Sequence, residues 1–364
     1  MLNKQLFPII TASGTPYEIG LAHGQGAKDL IQYSLDTYRD MFWDYSGISW
    51  EKACQYARTF IPAIDAYDPD YMEEIRGIAE GSGRSLDDIL ALNLRSEIVF
   101  QGAQVEDVPT DGCTSFVFTP DVTDNGHLLL GQNWDWKKTI QGGCIILRIQ
   151  QKNKPNITMI TEAGIIGKIG FNSAGIGICL NALGSSMKAE GQTIPLHIAM
   201  RGVLDSQTLS DAIQASTKMP LACSAHFMLG SANGEGVSLE MGAGDFDIAY
   251  AVDGFLGHTN HFFHPRMDYV KDTTRVSLPD SFLRLGRIRT LVKHLGHKVN
   301  VLDIKEFMRD HISYPDSICR HDDELEPEAK RLCTVFSVIM DLEREEMYFA
   351  PGNPCCCEYH LVRF

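Results

Sequence analysis

The segment Asp111-Gly112-Cys113-Thr114 brings together residue types that can carry a reaction. Cys113 follows a glycine and opens the β-branched and aromatic run Thr114–Thr119, where helical patterning gives way to strand patterning. Were Cys113 a chain N-terminus, its α-amine would titrate near about 7.7–8.0 and serve as a built-in base at neutral pH. Its thiolate would be a strong nucleophile. Exposing that amine requires breaking the Gly112–Cys113 bond. The thiol of Cys113 can attack the Gly112 carbonyl and give a thioester that water resolves. Gly112 suits this, because without a Cβ it tolerates unusual backbone geometry and leaves its carbonyl unshielded. The same spacing also describes a buried strand residue after an Asp-Gly turn, and the local pattern alone favours that simpler reading.

Other clusters are weaker. His258-x-x-His261-x-x-His264 has the look of a ligand set, but Gly254 and Gly257 precede it and Pro265 closes it, so a helix that would align the three rings is not expected. The glycines at 164, 167, 170, 175 and 177 lack the Gly-Lys-Ser/Thr ending of a phosphate loop and read as strand turns. No Gly-x-Ser-x-Gly nucleophile elbow is present. The ten cysteines form no CxxC pair. Adjacent side chains in Cys355-Cys356-Cys357 point in different directions, so the three are not expected to share one tetrahedral metal, and the run reads as a surface loop.

These residues need a scaffold, and its elements are legible in outline. Thr15-Pro16-Tyr17-Glu18 is a capping box with proline at the first helical position, followed by helical spacing from Ala27 to Phe42. Asp68-Pro69 opens a helix that stops near Gly81-Ser82-Gly83, and Ser85 caps another running to about Phe100. The polar stretch Gly102–Thr110 reads as an exposed linker. Thr114–Thr119 and His127–Asn133 flank Asp124-Asn125-Gly126 as a hairpin. Strands are expected at 144–151, 156–162, 167–171 and 175–181, helices over 195–217, then strands at 224–232, 236–241 and 247–253. Helices at 281–295 and 303–311 and strands at 334–341, 345–350 and 358–363 complete an α+β chain with a large, mostly antiparallel sheet system.

Composition narrows the function. The 364 residues suffice for a large core, and 44% hydrophobic residues with 22% charged is ordinary globular usage. Thirty-two basic against 47 acidic residues give a net charge of −15, which repels phosphate backbones and anionic membrane surfaces. No segment has the apolar length needed to span a bilayer and no targeting signal stands out, so a soluble, cytoplasmic protein is expected.

The chain resembles the acyl-coenzyme A:6-aminopenicillanic acid acyltransferase (isopenicillin-N N-acyltransferase) family of N-terminal-nucleophile (Ntn) hydrolases. Gly14-Thr15-Pro16-Tyr17-Glu18-Ile19-Gly20 with His23-Gly24, Glu73–Ala79, Leu92–Glu97, Asp111–Thr114, Gly131–Asp135, Ile160–Lys168 with Gly170–Gly175, His258–His261 and Tyr314–Arg320 carry the resemblance, which spans most of the chain.

The resemblance implies a four-layer αββα fold and self-cleavage into residues 1–112 and 113–364, which stay associated as one structural domain. It implies Cys113 as nucleophile, Asp135 beside it to hold the freed amine or a substrate amino group, and Asn260 as oxyanion donor. Arg320 would pair with a substrate carboxylate or with the catalytic cluster, where a local reading offers a surface salt bridge to Asp322 or Asp323. Trp134 and Trp136 could wall an acyl pocket or simply belong to the core. The implied substrate is a small amide or thioester, penicillin-type or another N-acyl amide, with acyl-coenzyme A as a candidate co-substrate and no cofactor or metal. The alternatives are a metal-dependent hydrolase using His258, His261 and His264, or a non-catalytic Ntn-like binding protein.

Overall fold

A computed structural model describes residues 6–102 and 111–363. Strand β1 (Ile9–Gly14) leads into helices α1 (Pro16–Gly26), α2 (Lys28–Ser46), α3 (Trp50–Arg58), α4 (Ile61–Tyr67), α5 (Pro69–Ser82), α6 (Leu86–Asn93) and α7 (Arg95–Gly102). The start of α1 is fixed by Thr15, whose N–H donates to the Glu18 carboxylate at 2.8 Å while its hydroxyl accepts the Glu18 N–H at 3.3 Å. Gly20 of α1 lies so close to the Glu74 carbonyl of α5 that any Cβ would collide with it. The two most N-terminal segments of the family resemblance therefore form one tight helix–helix contact.

Two sheets follow. The eight-stranded sheet has the order β1, β4 (Cys144–Gln151), β5 (Ile157–Glu162), β6 (Ile169–Asn172), β7 (Ile176–Ala182), β8 (Ala225–Ser231), β9 (Gly236–Gly242), β10 (Asp245–Tyr250). Only its β1–β4 pairing is parallel. The six-stranded sheet is antiparallel, in the order β11 (Phe255–His258), β2 (Thr114–Phe118), β3 (Leu129–Trp136), β12 (Cys333–Asp341), β13 (Glu346–Ala350), β14 (His360–Arg363).

The sheets face one another. Gln132 of β3 accepts the Leu180 N–H of β7 at 2.8 Å, and Ser115 of β2 donates to Asn181 of β7 at 2.6 Å. Outside the larger sheet lie α6, whose Asn93 donates to the Gly164 carbonyl at 2.9 Å, and α8 (Leu196–Leu204) with α9 (Leu209–Thr217). Outside the smaller sheet, Phe116, Phe118 and Leu129 pack on α11 (Asp280–Lys293) and α12 (Val301–Met308) through Leu285, Ile288, Ile304 and Phe307; the single turn α10 (Thr274–Ser277) precedes α11. The layers are thus helix, sheet, sheet, helix, as the resemblance implied. No described helix is long and apolar enough to cross a membrane.

The expected hairpin is present, with Thr114 paired to Asn133 and Phe118 to Leu129. Some expectations are corrected. The single helix expected from Ser85 to Phe100 breaks at Leu94 into α6 and α7. The helices expected over 195–217 are present as α8 and α9, separated where Asp205 and Ser206 leave the helix before Thr208 starts a new capping box. Strands β1 and β11 and helices α3 and α4 had no counterpart in the sequence reading. The expected linker lies outside the described residues except for Gly102, the last residue of α7.

Candidate active site

Strand alternation sets the directions of the reactive side chains. On β2, Ser115 faces the opposite sheet and Phe116 faces the helical layer. Cys113 shares the parity of Ser115, and continuing the β2–β3 register places it opposite Trp134. Cys113 is fully buried, its Sγ lies 3.9 Å from the backbone oxygen of Asp135, and the Asp111 carboxylate is close enough to act on the thiol electrostatically. Burial, with the charges of Asp111 and Asp135 added, pushes the thiol well above its ordinary range. Burial also raises the Asp111 carboxyl.

Arg284 of α11 ties the site together. Its Nη1 donates to the Cys113 carbonyl at 2.6 Å and to Thr114 Oγ1 at 3.2 Å, its Nη2 donates to Asn260 Oδ1 at 3.0 Å, and its Nε donates to Asp280 at 2.7 Å. The bond to Oδ1 leaves the amide nitrogen of Asn260 to face Asp111, two residues before Cys113. Asn260 Nδ2 donates to Asp111 Oδ1 at 3.0 Å and to the Ala182 carbonyl at 3.1 Å. Asp111 Oδ1 also accepts the Ala182 N–H at 3.0 Å.

Asp135 sits one residue past Trp134 on β3, so its side chain faces the helical layer. Thr334 of β12 donates to its Oδ1 at 2.7 Å. Its Oδ2 is buried without a hydrogen-bond partner among the described residues and stands 3.5 Å from Arg320 Nε, an ion-pair separation too long for a good hydrogen bond. Burial lifts the Asp135 carboxyl to about 7, with Arg320 and Arg284 opposing the shift. Arg320 is buried and pairs with Asp280 and Asp316 as well, so the surface partners Asp322 and Asp323 are not its partners. Gly112 rests directly on this guanidinium: a Cβ there would stand 3.0 Å from Arg320 Cζ.

Five of the singled-out residues, Gly112, Cys113, Asp135, Asn260 and Arg320, therefore converge from separate elements around one peptide bond. Trp134 takes the other face of β3, alongside Cys113. Its ring lies tilted beside Phe336 (5.1 Å between ring centres) and under Lys168 Nζ (3.6 Å), while Arg95 is 5.8 Å from the Trp136 ring. Both tryptophans thus belong to a charged layer between the sheets. Burial would raise the Glu162 carboxyl there, but Arg95 and Lys168 hold it down at about 2. A cavity of about 710 Å³ opens beyond the end of β3, bordered by Tyr45, Lys137, Arg331 and Cys333. It reaches none of Cys113, Asp135, Asn260 or Arg320, so the reactive cluster is closed off from it in the continuous chain.

The histidine set does not converge as a triad. His258 Nε2 lies 2.9 Å and His264 Nε2 3.8 Å from Glu240 Oε1, whereas His261 turns away to Ser281 at 2.8 Å. A strand followed by an irregular turn splits the three-residue spacing, which aligns rings only on a helix. Arg284, Asp280 and Thr334 were not singled out from sequence, and Asp111 was noted only as part of the Asp111–Thr114 motif. The one available signal was Asp280 four residues before Arg284 on a helix, a common and unspecific pattern.

A family model described as acyl-coenzyme A:6-aminopenicillanic acid acyl-transferase matches residues 122–355. The chain is 34% identical over 348 residues to the acyl-coenzyme A:6-aminopenicillanic-acid-acyltransferase 40 kDa form of Emericella nidulans, covering 95% of this chain and 92% of that relative. Penicillin V acylase from Agrobacterium tumefaciens superposes with a TM-score of 0.50 at 15% identity, over 69% of this chain and 86% of that one. A mutant conjugated bile acid hydrolase from Clostridium perfringens gives a TM-score of 0.46 at 14% identity, over 69% of this chain and 97% of that one.

Proposed function

The chain belongs to the acyl-coenzyme A:6-aminopenicillanic acid acyltransferase family, within the Ntn-hydrolase fold, and we propose that it is a self-processing cysteine enzyme that cleaves or transfers the acyl group of an amide. The observation that carries this reading is the convergence of Cys113, Asp135, Asn260 and Arg320 on the Gly112–Cys113 bond.

Maturation starts at the thiol. Asp111 takes its proton, Sγ bonds to the Gly112 carbonyl carbon, and the tetrahedral adduct expels the Cys113 nitrogen, which takes that proton. Water then splits the thioester, leaving a Gly112 carboxylate and a Cys113 with free thiol and free amine. Arg284 holds the Cys113 carbonyl through this change, so the new N-terminus stays in place.

The same groups then serve turnover. The α-amine of Cys113 relays the thiol proton to the leaving amine of the substrate. Asp135 Oδ2, with an acceptor site open, holds that amine. Departure of the Asp111-Gly112 end releases Asn260 Nδ2 to donate to the tetrahedral oxygen, an interaction worth roughly 3–4 kcal/mol in other enzymes. The S-acyl enzyme is resolved by water or by an amine. Arg320 acts inside the catalytic cluster by opposing the burial that raises the Asp135 carboxyl; to receive a substrate carboxylate it would have to give up Asp316, the most exposed of its three partners. Penicillin-type and other N-acyl amides, with acyl-coenzyme A as donor, are the substrate classes that the named relatives suggest.

The test is to incubate the mature protein with N-acyl amides, penicillins, and acyl-coenzyme A plus 6-aminopenicillanic acid, using Cys113→Ala as the blank. Turnover of one class, with an acyl mass adduct trapped on Cys113 after acid quench, is expected. Cleaved protein that neither turns over nor acylates with any class would overturn the reading.

A further inference from the structure

Beside the cluster around Cys113 lies a second group of side chains with a different chemistry. His311, Cys319, His321 and Cys355 each offer one donor atom, and all four atoms lie within 4.8 Å of one another. The two sulfurs are 3.5 Å apart, Cys319 Sγ and Cys355 Sγ lie 3.6 and 3.3 Å from His321 Nε2, and the two imidazole Nε2 atoms are 3.1 Å apart. A tetrahedral zinc ion with ordinary bond lengths sets edges of about 3.8 Å between sulfurs, about 3.6 Å between sulfur and nitrogen and about 3.3 Å between nitrogens. These four separations fall within a few tenths of an ångström of those edges.

We propose that His311, Cys319, His321 and Cys355 form a closed, structural zinc site. Two nitrogens and two sulfurs in a tetrahedral arrangement are the donor set that favours zinc over hard cations such as magnesium or calcium. Binding displaces the two thiol protons to solvent, and the two thiolates then neutralise the charge of the ion. Four protein ligands leave no open position, so the ion has no place for a catalytic water.

The surroundings fit this assignment. Asn353 Nδ2 donates to Cys319 Sγ at 3.7 Å and to the Arg320 carbonyl at 2.6 Å, a bridge of the kind that fixes a metal-bound thiolate. Cys319 and His321 flank Arg320 in sequence, and the Arg320 N–H donates to Thr334 Oγ1 at 3.1 Å. The ion would therefore pin the 311–321 segment to the 353–355 turn and hold the backbone of the residue that pairs with Asp135. The site was hidden in sequence because its ligands come from two segments, and because one member of the triple-cysteine run acts apart from its neighbours. Cys356 touches Cys355 at 3.4 Å but falls outside the four-atom cluster.

Metal content tests this without reference to any activity. Full-length protein, purified under reducing conditions, loaded with zinc chloride and desalted, is expected to carry about one zinc per chain, as one four-ligand site requires. Cobalt loading should give thiolate-to-cobalt charge-transfer bands and the intense visible bands of tetrahedral cobalt. Cys355→Ser and the surface variant His311→Gln should lower the stoichiometry, Asn353→Ala should weaken affinity roughly 10–100-fold, and Cys356→Ser should retain the metal. Negligible zinc after loading would overturn the proposal. So would zinc retained in Cys319→Ser/Cys355→Ser, or a cobalt spectrum without thiolate bands, which would move the metal to the Glu240–His258–His264 cluster.

Discussion

Asn260 Nδ2 donates to Asp111 Oδ1 across 3.0 Å, so the side-chain amide proposed as the oxyanion donor is held by the carboxylate two residues before Cys113. In the continuous chain the donor is therefore occupied, and in the proposed mechanism it is released from Asp111 only when the Asp111-Gly112 end departs after cleavage. The substitution Asn260→Ala should lower kcat on an amide substrate by about 10²–10³-fold with a much smaller change in KM, because the lost bond strengthens only as the oxyanion forms. Steady-state kinetics on the cleaved variant check this. A KM effect with unchanged kcat would reassign Asn260 to ground-state binding.

Gly112→Val should slow self-cleavage. The added atoms meet the Arg320 guanidinium, which is itself pinned by Asp135, Asp280 and Asp316 and has no room to retreat. Overpacking of about 1–3 kcal/mol at the scissile bond corresponds to roughly 5–150-fold in rate if it is relieved nowhere before the transition state. A time course of fragment appearance measures it, and cleavage at the unsubstituted rate would show that Gly112 is not constrained by Arg320.

The elements that announced themselves in sequence were those with local chemical causes. The Thr15–Glu18 capping box and the Asp68-Pro69 start gave α1 and α5 because capping is decided within four residues. Strand β1 was hidden, since it is a mostly exposed edge strand whose partner, β4, lies more than a hundred residues away in the chain. In the site, Cys113 was visible through its Asp-Gly-Cys-Thr setting and the family resemblance. Arg284 was not, because its importance comes from contacts with Cys113, Thr114 and Asn260, residues 24 to 171 positions distant. Trp134 and Asp135 were read as neighbours at one site, and strand alternation instead gives them opposite faces of the sheet.

Amide turnover should rise with pH through a midpoint near 7, the value to which burial lifts the Asp135 carboxyl, because the ionised form holds the substrate amine. Arg320→Lys gives up the planar fork that opposes this shift, so the midpoint should move upward, and Asp135→Asn should remove the rise. The stability effect has the opposite direction. A carboxyl whose folded pKa is raised contributes stability that is present below its ordinary value and lost as pH rises through about 7. The uncleaved Cys113→Ala chain should therefore lose stability across that window relative to Cys113→Ala/Asp135→Asn. Urea denaturation at a series of pH values tests it, and parallel profiles for the two chains would contradict the assignment.

Arg284→Met in the Cys113→Ala background should destabilise the fold by about 3–5 kcal/mol, because the largely buried Asp280 carboxylate loses a charge partner and the buried Cys113 carbonyl and Asn260 Oδ1 lose their donor. Chemical denaturation measures this directly. A change under about 1 kcal/mol would mean that Arg320 alone compensates Asp280.

The central claim is that Cys113 cuts the bond before itself. Intact mass of the freshly purified protein under denaturing conditions, beside that of Cys113→Ala, tests it most directly. Two fragments from the native chain, the larger beginning at Cys113, with a single full-length species from Cys113→Ala, are the expected result. A native chain that stays whole for days, or a Cys113→Ala chain cut at the same bond, would contradict the account.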